Sequence, residues 1–107
     1  MDGEENCWPS ADAVALALCA SAKVLGESAL NVAAPDGAGA KEGLRFRFPA
    51  YEALKLFYPG RSARELGRLV GLMSTPSERL AGAHKASWWP EQGAAALNAA
   101  MEALEAA

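Results

Sequence analysis

The stretch from Pro59 to Glu78 is the most heavily punctuated part of this 107-residue chain, and it restricts the chain to short, sharply ended helices. Pro59-Gly60 stops whatever precedes it. Ser62-Ala63-Arg64-Glu65 has the form of a capping box, in which a serine hydroxyl and a glutamate carboxylate satisfy each other's exposed backbone amides. Leu66, Leu69 and Val70 then give that helix a buried face, and Gly71 ends it. Thr75-Pro76-Ser77-Glu78 repeats the box with proline at the first helical position, and predicts a second helix running to about Ser87.

The remaining elements follow from the same signals. Ser10 caps a helix expected over about 11 to 25, with Asp12 at its positive end, Val14, Leu18 and Leu25 at helical spacing, and Gly26 as its stop. The many alanines of this helix allow close approach either inside the domain or between subunits. Residues 35–43 contain three glycines and no large apolar group, so they read as a flexible loop. Leu44-Arg45-Phe46-Arg47-Phe48 alternates apolar and basic residues and reads as an extended segment over 44–48. It is either an arm packed through Phe46 and Phe48 or a strand paired with a second subunit, and the arm is favoured. Pro49 then opens a helix to about residue 58, with Ala50, Leu54 and Phe57 on its stripe. Trp88-Trp89-Pro90 redirects the chain into a last helix over about 91 to 105, with Ala94, Leu97, Met101 and Leu104 on one face. The tryptophans read as core anchors that clamp this helix onto the one before it. The expected architecture is therefore all-α: one domain over residues 1–107 with about five helices, a flexible loop and a short extended segment.

Charge is segregated along the chain. The overall net charge of −3 conceals residues 41–85, where nine bases (Lys41, Arg45, Arg47, Lys55, Arg61, Arg64, Arg68, Arg79, Lys85) face four acids (Glu42, Glu52, Glu65, Glu78). A basic middle between acidic ends suits a surface for polyanions, and a solvated surface of chance composition is the plainer explanation. The acidic start Met1-Asp2-Gly3-Glu4-Glu5 is unlike a secretory signal, and no run approaches the ~20 apolar residues of a membrane span, so a cytoplasmic location away from membranes is expected. Cys7 and Cys19 are then expected as thiols.

The order short helix, glycine turn, capped helix carries a resemblance. Residues 63–82 resemble the twenty-residue core of helix-turn-helix DNA-binding proteins, with a small residue at its fifth place (Gly67), a turn glycine at its ninth (Gly71), and apolar residues at its fourth, eighth, tenth and eighteenth (Leu66, Val70, Leu72, Leu80). It covers about a fifth of the chain and departs from the family at the fifteenth place, where a buried aliphatic group is usual and Ser77 stands. Each matched position also has its own physical logic. A side chain at Gly67 would hold two helices apart, a sharp reversal at Gly71 needs a positive backbone angle, and four apolar groups fill the angle between the helices.

The resemblance implies a central helix-turn-helix over 62–86 that binds double-stranded DNA in transcription regulation. Arg61, Arg64 and Arg68 are expected on phosphates, and Thr75, Ser77 and Arg79 on phosphates or base edges, with His84 and Lys85 one to two turns further on. Arg45 and Arg47 are candidates for a minor-groove arm. One such motif buries little surface, so a homodimer or a partner protein is expected, the acidic first and last helices supplying contacts. Two alternatives use the same basic face: a helical adaptor or inhibitor that holds an acidic partner protein, and a phage or mobile-element protein that packages DNA. Nothing points to an enzyme, a cofactor or a small-molecule effector: there is no nucleophile turn and no glycine-rich phosphate loop. Cys7 and Cys19, twelve apart, together with the single His84 lack zinc-ligand spacing, so no metal is expected.

Overall fold

The computed structural model describes residues 9–26, 45–72 and 75–107, and among them the fold is all-α with no strand. The elements are α1 (Ala11–Leu25), α2 (Arg47–Phe57), α3 (Ala63–Leu69), α4 (Pro76–His84), a single π-helical turn (Trp89–Gly93) and α5 (Ala94–Ala106). The loop expected over 35–43 lies outside the described residues, as do Leu44, Met73 and Ser74.

The ends of α1 are set by its own side chains. Ala13 N–H donates to Ser10 Oγ at 3.1 Å, and Gly26 closes the helix in the left-handed region at φ 72°. Three alanines of α1 serve packing within the chain: α1 lies against α5, with Ala13, Ala17 and Ala22 on one side of the contact layer and Ala96 and Ala100 on the other all removed from solvent. α2 packs against α1, α5, α3 and α4, which is why Ala50, Tyr51, Ala53 and Leu54 are fully buried. Trp88 and Trp89 are half-buried against this core, and the Trp89 ring packs on Gly93, where an added Cβ would overlap it.

The extended segment expected over 44–48 is replaced by a turn and the start of a helix. Phe46 is helical in conformation (φ −62°, ψ −21°), α2 begins at Arg47, and Phe48 N–H donates to Arg45 O at 3.2 Å. Two consecutive side chains, Phe46 and Arg47, both point inward, a disposition that period-two alternation forbids and a helix start permits. The Phe46 carbonyl is held by the buried hydroxyl of Ser21, which donates to it at 2.8 Å from α1. Pro49 falls at the third helical position rather than the first, where its missing N–H still costs no intrahelical bond. The last helix is likewise preceded by the π-helical turn, in which Gln92 and Gly93 N–H both point to Trp88 O at 2.9 and 3.3 Å.

Candidate nucleic-acid interface

α3 and α4 are joined by residues 70–75 and held in close contact by small groups. An added Cβ at Gly67 would sit 2.8 Å from Pro76 Cβ and Cγ and 3.0 Å from Leu72 O, so only hydrogen fits between α3 and the first turn of α4. Gly71 has φ 84°, the positive angle that the reversal requires. Leu66, Val70, Leu72 and Leu80 are between 0% and 7% exposed and fill the space between the two helices and α2. At about 1.5–3 kcal/mol for each buried aliphatic side chain, they outweigh the ~1 kcal/mol lost by placing glycine inside α3.

The two capping boxes part company. Around α3 both reciprocal bonds form, Glu65 N–H to Ser62 Oγ and Ser62 N–H to Glu65 Oε1, each at 3.1 Å. At α4 the expected Thr75–Glu78 box is absent. Thr75 is left-handed (φ 42°, ψ 53°) and its side chain makes no capping bond, because a capping residue must be extended to aim its oxygen at the amides of the first turn. The helix also ends at His84, with Lys85 as its C-cap, short of Ser87.

The residues expected to contact DNA divide by what else they touch. Arg64, Arg68 and Lys85 are exposed, with Arg64 and Arg68 one turn apart on the outer face of α3. Arg61 is half-buried. Arg79 is half-buried with its guanidinium 5.8 Å from the Phe48 ring centre, and Arg45 is half-buried 5.4 Å from the Trp88 ring. The Ser77 hydroxyl hydrogen-bonds Tyr51 Oη at 2.9 Å, so the residue that departs from the family pattern spends its polar atom on α2. His84 Nε2 meets Glu52 Oε1 at 2.7 Å, and its ring stands edge-on to Trp89 at 4.4 Å. Thr75 is exposed.

Arg47 cannot serve as an arm. It is 2% exposed, and its Nη1 donates to Val70 O at 2.9 Å, at the C-terminal end of α3. A cation there satisfies a carbonyl that the helix leaves unpaired and sits at the negative end of its dipole. Alternation in the sequence cannot distinguish such an inward arginine from a solvated one.

The face of α4 that looks into solvent differs from the set expected to contact DNA. Pro76, Leu80 and Ala83 point inward, which leaves Glu78, Ala81, Gly82 and Lys85 on the opposite, exposed side. A Cβ at Gly82 would meet nothing within 4 Å. This face is smooth, with one acid and one base at its ends. The 76/80/83 spacing of the inward groups was the available signal.

Among the described residues no three His, Cys, Asp or Glu side chains come together as a metal site, and no helix is long and apolar enough to cross a membrane. No protein-family model, curated protein or solved structure matches the chain.

Proposed function

We propose that the chain is a cytoplasmic, helix-turn-helix regulator that binds double-stranded DNA through α3 and α4. The observation that carries this reading is the Gly67–Pro76 contact, which holds the two helices at close range while Arg64 and Arg68 of α3 and Glu78, Ala81, Gly82 and Lys85 of α4 are all exposed. Such a rigid pair can set one helix in a major groove while the other is held to the phosphates by guanidinium groups. Arg64 and Arg68 take the phosphate role. Glu78, Ala81, Gly82 and Lys85 take the groove-facing role, in place of Ser77 and Arg79, whose polar groups lie against Tyr51 and Phe48.

The test is titration of the chain against duplex DNA by fluorescence anisotropy at several salt concentrations. Replacing Arg64 and Arg68 together by alanine is expected to weaken binding and to reduce the slope of log K against log salt by about two, one per phosphate contact. Unchanged affinity in that variant, or no binding by the parent chain at low salt, removes the proposal. Selection of one sequence over competitor DNA separates regulation from packaging.

A further inference from the structure

We propose that α1 is a self-association surface, on which a second copy of this chain docks antiparallel across a two-fold axis. The buried side of α1 faces α5, and its opposite side carries Asp12, Leu16, Cys19 and Lys23 as one exposed stripe at intervals of four, three and four residues. Between Asp12 and Lys23 there is no charged residue in the sequence, so about three turns of helix face are built from exposed Ala15, Leu16 and Cys19 with half-buried Ala20 at their side. A helix surface meant only for water carries charge at such positions. Leu16, at the middle of the stripe, is 51% exposed.

The ends of the stripe identify the occupant. An acid stands at one end and a base at the other, so the face is complementary to itself when reversed. With the dyad between residues 17 and 18, Asp12 faces Lys23 of the second copy, Lys23 faces Asp12, and each Leu16 lies against the other copy's Cys19. The two-fold symmetry makes every contact occur twice, as a closed isologous dimer requires. Ala15 and Ala20 beside the stripe let the two backbones approach to the usual 8–10 Å between helix axes. The pairing uses α1 alone and does not depend on the nucleic-acid reading, so it is measured without DNA.

The experiment is sedimentation equilibrium of the full chain over micromolar concentrations, with three variants. The parent chain is expected to show a reversible monomer–dimer equilibrium. Asp12→Lys and Lys23→Asp each place like charges opposite each other twice, and each is expected to raise the dimer dissociation constant at least tenfold. Mixing the two variants restores opposite charges at both contacts, so a heterodimer of parental affinity is expected to form. In a Cys7→Ser background a short bismaleimide is expected to join Cys19 to Cys19, since the antiparallel register puts their Cα atoms within about 10 Å. A parent chain that is monomeric throughout, or a dimer whose affinity neither charge reversal changes, overturns the proposal. So does a pair of variants that does not recover on mixing.

Discussion

The Arg47 guanidinium occupies the space that a side chain at Gly71 would need: a Cβ built on Gly71 overlaps Arg47 Nη1. The same nitrogen donates to the carbonyl of Val70, the residue before it. The reversal after α3 therefore depends on glycine for two reasons, its φ of 84° and the buried cation pressed against it. Gly71→Ala is expected to lose about 2–4 kcal/mol in urea unfolding, combining backbone strain with displacement of a buried charge. Arg47→Ala is expected to lose about 3 kcal/mol by leaving a buried carbonyl unpaired and a cavity behind. Because the two share one space, the double variant is expected to lose clearly less than the two single losses added.

Gly67 and Gly82, each two residues before the last residue of its helix, are expected to respond with opposite sign, because the first is buried and the second exposed. Alanine at Gly67 gains ~1 kcal/mol of helix propensity but drives its methyl into Pro76 and Leu72 O, and overpacking of that kind costs about 1–3 kcal/mol. Alanine at Gly82 meets nothing and keeps the gain. Gly67→Ala is therefore expected to unfold at lower urea concentration than the parent and Gly82→Ala at higher. A shift to higher urea concentration in both would mean that α3 and α4 are not held in contact at Gly67.

That contrast also marks what could be read beforehand. Start and stop residues are local: Ser10, Gly26 and the Ser62–Glu65 box act through bonds to amides at most four residues away, so a sequence displays them in full. The small group at Gly67 and the positive angle at Gly71 were equally visible, because each answers to one steric demand. Orientation was not. Whether Arg47 turns inward depends on a carbonyl 23 positions away, whether Ser77 is available depends on Tyr51 from another helix, and His84 is tied to Glu52 across 32 positions. Period two over 44–48 was a true alternation of residue types laid on a turn and a helix start, where alternation carries no information about facing.

The two helix starts offer a paired measurement. Ser62→Ala removes a formed capping bond and is expected to destabilise by about 1 kcal/mol. Thr75 makes no such bond and holds a β-branched side chain at φ 42°, a conformation that asparagine accepts more readily. Thr75→Asn is expected to stabilise by about 0.5–1 kcal/mol. A loss on Thr75→Ala equal to that of Ser62→Ala would instead indicate a working cap at Thr75.

The solvent face of α4 makes a sharp demand on DNA binding, because its two charged residues have opposite sign. Glu78 and Lys85 are both exposed and lie on the same side of the helix, away from Leu80 and Ala83. If that side enters a groove, Glu78 is repelled by phosphates but can accept a hydrogen bond from the cytosine amino group. Glu78→Gln is then expected to tighten binding to random duplex DNA about threefold at low salt while reducing preference for the selected sequence. Lys85→Gln is expected to weaken binding to every sequence and to lower the salt slope by about one. Anisotropy titrations with selected and random duplexes read both. If neither substitution alters affinity while the Arg64 and Arg68 substitutions do, the groove-facing element is not α4, and binding rests on α3 and the phosphates alone.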